Sequence, residues 1–115
     1  MLKIDSYEQT GCTVLRLEGD IDEEGMNTLR LSLMECIQNQ QHNVVVNLAS
    51  VNFVSYMGVG VLVERLRQLR ACKGDLKLTG VNLYTERLFR MVGITNVFDT
   101  YATEAQALQA FAEAA

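Results

Sequence analysis

Asp20 and Asp22 stand two residues apart in Gly19-Asp20-Ile21-Asp22, a spacing that could offer two carboxylates to a hard cation such as Mg²⁺ if another oxygen donor lay opposite. Capping of a following helix explains the pair at least as well. Gly58-Val59-Gly60 follows a strand pattern and opens a helical one, superficially like a phosphate-binding turn. The third glycine of a dinucleotide fingerprint would fall on Val63, so nucleotide binding of that type is not expected. His42 is the single histidine and sits at a predicted helix end, where a solvated side chain near the last carbonyls is the simpler role. There is no P-loop, no H-E-x-x-H and no nucleophile elbow. Cys12, Cys36 and Cys72 are odd in number and form no C-x-x-C pair, so neither a disulfide framework nor a zinc site is read, and each is expected to be a small buried apolar residue. The expectation is a protein that is not an enzyme and carries no cofactor and no metal.

What remains is the segment Val51 to Val63, and within it Ser55-Tyr56-Met57-Gly58. It joins a central strand to a helix, beyond the strand's carboxyl end, where open α/β sheets place their binding surfaces. Ser55 just ahead of the helix reads most simply as its N-cap. Tyr56 and Met57 beside Gly58 at a loop tip are residue types that anchor protein interfaces. Partial burial against neighbouring helices is the competing account of both.

The elements that must hold this segment follow from hydrophobic period, since the chain has no proline and shows neither repeat nor linker. Leu2 to Glu8 and Cys12 to Glu18 read as two strands joined at Gln9-Thr10-Gly11, with Gly11 supplying a positive φ. Met26, Leu29, Leu33, Cys36 and Ile37 share one face of a helix that starts after Asp22 and ends near Gln41. Val44 to Leu48 is a β-branched run without alternation, as in a strand covered on both faces. A second helix fits Met57 to Lys73, with Val59, Leu62, Val63, Leu66 and Leu69 inward, Glu64, Arg65, Arg67, Gln68 and Arg70 outward, and Gly74 as its stop. Leu76 and Leu78 mark a strand, Leu88, Phe89 and Val92 a helix, Val97 and Phe98 a short strand, and Ala105, Leu108, Phe111 and Ala112 a last helix. The order β-β-α-β-α-β-α-β-α predicts an α/β fold, a mostly parallel mixed sheet with an antiparallel edge ribbon and about four helices.

Composition bounds the partners. A chain of 115 residues with 49% hydrophobic content fills one core, so one domain spanning 1–115 is expected. The 10 basic and 14 acidic residues leave a net charge of -4 without a basic, aromatic-studded stretch, which argues against nucleic acid. No run approaches the ~18 apolar residues of a membrane span, and Met1-Leu2-Lys3-Ile4-Asp5 lacks the apolar core of a signal peptide, so a cytoplasmic location without membrane insertion is expected.

Several stretches together resemble the STAS domain of bacterial anti-sigma factor antagonists (anti-anti-sigma factors), proteins that release a sigma factor by capturing its anti-sigma factor. Leu17 to Asp22 is similar to the family's G-x-L-D stretch, Val44 to Ala49 to its central strand ending in D-L-S, and Phe53 to Leu62 to its F-[IVM]-D-S-[ST]-G-[LV]-G-V-L signature. Leu88 to Ile94 with Phe98 resembles its closing helix and strand, and Ala105 with Leu108 its last helix. The resemblance implies a STAS-like single domain and a partner that is an anti-sigma factor or a related serine kinase of ATPase fold. It implies a partner-binding loop of Asp22, Ser55, Tyr56, Met57 and Gly58, and a weak homodimer is compatible with it.

In the family the signature serine is phosphorylated by the partner kinase, which switches binding off. Tyr56 holds that position here, Ser55 replaces the preceding aspartate, Met57 the following serine or threonine, and Asn47 the aspartate of the central strand; Asp22 and Gly58 match. A tyrosine carries its oxygen several ångströms further from the helix N-terminus, so the ordinary serine switch is not expected, and Ser55 becomes the alternative acceptor. Other roles that the resemblance admits are a subunit of a larger assembly, such as a lipid-transport complex or stress-signalling scaffold, and a sensor of a nucleotide or small ligand near Asp20, Asp22 and Ser55.

Overall fold

The computed structural model describes residues Met1–Ala114. Strand β1 (Leu2–Gln9) turns through Thr10 and Gly11 into β2 (Cys12–Ile21). Both turn residues have positive φ, 51° and 80°, the combination that a two-residue hairpin turn needs to match strand twist. Helix α1 (Glu23–Gln38) leads to β3 (Asn43–Val54), α2 (Tyr56–Ala71) to β4 (Asp75–Thr79), α3 (Leu83–Met91) to β5 (Thr100–Tyr101), and α4 (Glu104–Ala114) follows. The sheet runs in the order β1-β2-β3-β4-β5. Only β1 and β2 are antiparallel; β2, β3, β4 and β5 pair in parallel. The mixed sheet with its antiparallel edge ribbon and four helices is therefore the architecture that the hydrophobic pattern predicts.

Alternate side chains of the central strands divide the interior. Val44 and Val46 of β3, with Leu76 and Leu78 of β4, join the large cluster formed with Leu29 and Leu33 of α1, Leu62, Leu66 and Leu69 of α2, and Leu88 and Phe89 of α3. Val45 points the other way, into a smaller cluster with Cys12, Val14, Ala107 and Phe111 under α4. Each fully buried leucine contributes on the order of 1.5–3 kcal/mol of transfer free energy. That burial is what fixes the strand ends carrying the site.

Several details differ from the sequence expectation. Helix α1 ends at Gln38 rather than near Gln41, and α2 spans Tyr56–Ala71. The left-handed residue after α2 is Lys73 (φ 66°), not Gly74; Gly74 is required because a Cβ there would stand 1.9 Å from the His42 carbonyl oxygen. Arg65, expected outward, is buried, its Nη1 donating to Gln68 Oε1 at 2.6 Å. Cys72, expected to be buried, is exposed, while Cys12 and Cys36 are buried and burial pushes the Cys36 thiol up to about 11. Val97 and Phe98 form no strand; pairing with β4 comes from Thr100 and Tyr101, and Phe98 instead stacks on Phe89 at 5.6 Å between ring centroids.

The largest difference concerns β3, which continues six residues past Leu48 to Val54. Register shifts against β2 lie between Arg16 and Glu18 and between Gly19 and Asp20, and at each β3 carries one residue more. The polar residues Ser50 and Asn52 belong to that bulged stretch. By its end the register brings Ile21 opposite Val54, so Asp22 and Ser55 leave the sheet side by side.

Candidate functional site

Two helix N-termini meet at these strand ends. Asp22 has an extended backbone and its Oδ1 accepts a hydrogen bond from the Gly25 backbone N–H at 2.8 Å, capping α1. Ser55 does the same for α2, its Oγ accepting from the Gly58 N–H at 3.0 Å. The two caps are stitched together because the Ser55 N–H donates to the Ile21 carbonyl at 2.9 Å. Gly58 lies beneath this junction, where a Cβ would come within 2.7 Å of Ile21 Cγ2 and 3.3 Å of Ser55 Oγ. Asp22, Ser55 and Gly58 are thus one structural unit, and capping accounts for Asp22 without a cation. Among the described residues, no three histidine, cysteine, aspartate or glutamate side chains are grouped to hold a metal ion.

Tyr56 and Met57 open α2 instead of forming a loop tip, and both turn to solvent, 59% and 68% exposed. Phe53, the residue two before Ser55, is also exposed. Large apolar side chains held outward by a rigid helix start are a costly surface for a protein that never covers it. The first turn of α2 has no acidic residue, so the positive end of its dipole is left without a carboxylate. Among the described residues no ionisable side chain hydrogen-bonds Ser55, whose hydroxyl therefore has no base to activate it.

A groove of about 410 Å³ runs from this site to α3. It is lined by Phe53, Val54, Ser55 and Tyr56 from the junction of β3 and α2 and by Tyr84, Arg87, Leu88 and Met91 from α3, with Val54 and Leu88 buried. Sequence pattern missed the α3 wall, since only Leu88, Phe89 and Val92 were read as the apolar stripe of that helix. Tyr84 and Met91 stand four residues before and three after Leu88, on a flank of the face it shares, and both are exposed.

Asn47 is not part of this constellation. Its Nδ2 donates to Glu104 Oε2 at 2.6 Å and its Oδ1 accepts from the Ala49 N–H at 2.9 Å. Glu104, in the first turn of α4, also accepts from Arg16 Nε (2.9 Å) and Nη2 (2.8 Å) and from the Tyr7 hydroxyl (2.6 Å). The Arg16 bonds hold the Glu104 carboxyl down at about 2. Burial and then the neighbouring Glu104 push the Tyr7 hydroxyl up. An aspartate at 47 would set a second carboxylate against Glu104. Asparagine therefore belongs to the attachment of α4 to the sheet. His42 contributes its backbone carbonyl to the Asp75 N–H, 3.0 Å away, and its ring lies outside the site.

Comparison with known proteins agrees with this architecture. Residues 3–107 match the model of the STAS domain. The chain is 28% identical over 108 residues to an anti-sigma F factor antagonist of Paenibacillus polymyxa, covering 93% of this chain and 92% of that protein. Among solved structures it is similar to the anti-sigma factor antagonist SpoIIAA in its unphosphorylated form, with a TM-score of 0.83, 22% identity and coverage of 96% and 97%. The phosphorylated form of Bacillus SpoIIAA gives a TM-score of 0.74 at 21% identity, with 96% of this chain and 99% of that one covered. These relatives are named for antagonising a regulator and not for a reaction. No helix among the described residues is long and apolar enough to cross a membrane. The chain belongs to the STAS domain family.

Proposed function

We propose that residues 1–115 act as one cytoplasmic STAS domain that antagonises an anti-sigma factor, a protein of serine-kinase or ATPase fold, by binding it through Asp22, Ser55, Tyr56, Met57 and Gly58. The protein catalyses no reaction in this role, and the serine phospho-switch of the family is missing. One observation carries the reading: Tyr56 and Met57 project into solvent from the first turn of α2, while the adjacent Ser55 hydroxyl is tied to the Gly58 N–H. The relatives named anti-sigma factor antagonists support the class of partner.

Phosphorylation of Ser55 would require the cap to open, at a cost of about 1 kcal/mol of helix stability. Phosphorylation of Tyr56 would place the phosphate well away from the backbone N–H groups that hold one on a shorter side chain. Because Tyr56 stands at the acceptor position of the family, binding in this reading is constitutive. Affinity capture from the host, followed by incubation of the complex with ATP and mass spectrometry, tests this. Recovery of an ATPase-type anti-sigma factor that stays bound, with no phosphate on Ser55 or Tyr56, is expected; release on ATP addition together with phosphate on either residue would overturn it.

A further inference from the structure

The groove beside Tyr56 has a chemistry of its own. Its lining is apolar almost throughout, with Phe53 contributed by the end of β3 and Tyr84 and Met91 by α3. Arg87 is the one charged residue on that lining. Among the described residues the ion pairs are made by Arg16, Arg65, Arg70 and Lys77, so the Arg87 guanidinium is left without a carboxylate. A guanidinium beside an apolar slot matches a carboxylate with two parallel N–H donors while its own outer face stays hydrated.

Size and donor set narrow the occupant. The volume of about 410 Å³ lies toward the small end of the ~300–1,000 Å³ range of ligand sites, which suits one acyl chain better than a two-chain lipid. A nucleotide is poorly served, because its phosphates would need several donors and the Gly58 N–H in the adjoining helix turn is already committed to Ser55 Oγ. Aromatic and thioether walls suit a flexible chain, since their contact is broad and not directional. We infer that this groove binds a single-chain fatty acid, its chain lying between Phe53 and Tyr84 toward Met91 and its carboxylate on Arg87. Such binding is a property of the protein alone, whether or not the Tyr56 surface also holds a protein.

Titration of the ¹⁵N-labelled protein with monomeric sodium decanoate, and in parallel with uncharged 1-decanol, tests the assignment. Saturable one-to-one binding of decanoate is expected, with shifts centred on Phe53, Tyr84, Arg87 and Met91. Arg87→Gln should weaken decanoate about tenfold, the scale of one charge-assisted hydrogen bond, and leave decanol unchanged. Met91→Glu, at an exposed position that the fold does not depend on, should weaken both. Absence of saturable decanoate binding, shifts centred elsewhere, or equal decanoate affinity in Arg87→Gln would overturn the assignment. So would binding to phosphatidylglycerol vesicles without binding of monomeric decanoate, which would mark a membrane-surface contact instead.

Discussion

Asn47 and Glu104 illustrate how much a single atom type decides. The Asn47 amide donates where an aspartate could only repel, so Asn47→Asp removes a short hydrogen bond and sets two carboxylates together. A loss of about 1–3 kcal/mol in urea unfolding is expected, and an unchanged midpoint would show that the contact carries no energy. Acid should reveal the same group. Because the folded-state pKa of Glu104 is about 2 against an ordinary 4.5, its contribution is complete above about pH 5 and is lost as pH falls toward about 2. In Glu104→Gln the fall in stability across that interval should be shallower than in the parent. Neither effect was legible from sequence, because the partners lie 57 and 88 residues from Glu104. Asp22 and Ser55 were legible as caps, since capping is local. Arg65 was not, because helical period placed its charge outward while the fold buries its side chain.

At the level of elements, the two glycines that open α2 separate packing from backbone freedom. Neither Gly58 nor Gly60 has positive φ. A Cβ at Gly60 meets nothing within 4 Å, so Gly60→Ala should gain up to about 1 kcal/mol of helix propensity and raise Tm. At Gly58 the same gain is opposed by overpacking against the fully buried Ile21, typically about 1–3 kcal/mol, so Gly58→Ala should lower Tm. Thermal melts of both variants check this; equal shifts in one direction would contradict it. The existence and order of the elements followed from period, but several boundaries did not, those of β3 and β5 most of all. Past Leu48 the β-branched run gives way to the bulged stretch with the polar Ser50 and Asn52, so the last half of the strand read as a connection. The Val97-Phe98 pair signalled burial, which Phe98 achieves against Phe89, whereas the ladder bonds are made by the polar-looking Thr100-Tyr101.

At the scale of the whole fold, the five strands and four helices of the described residues bring two capped helix starts to the carboxyl ends of β2 and β3, and α3 supplies the far wall of a groove beside them. The near wall lies close in sequence and was read from it. The far wall depends on how α3 packs across the sheet, and no local pattern reports that. Function at this scale turns on whether the Tyr56 surface is an interface without a phosphate switch. A centrally placed aromatic anchor is worth about 2 kcal/mol, or roughly 30-fold in affinity. The most direct measurement is isothermal titration of the captured anti-sigma factor with the parent protein and with Tyr56→Glu, each with and without ATP. The account predicts at least that loss in Tyr56→Glu and no effect of ATP on the parent. Equal affinity of the two proteins, or ATP-dependent release of the parent, would contradict it.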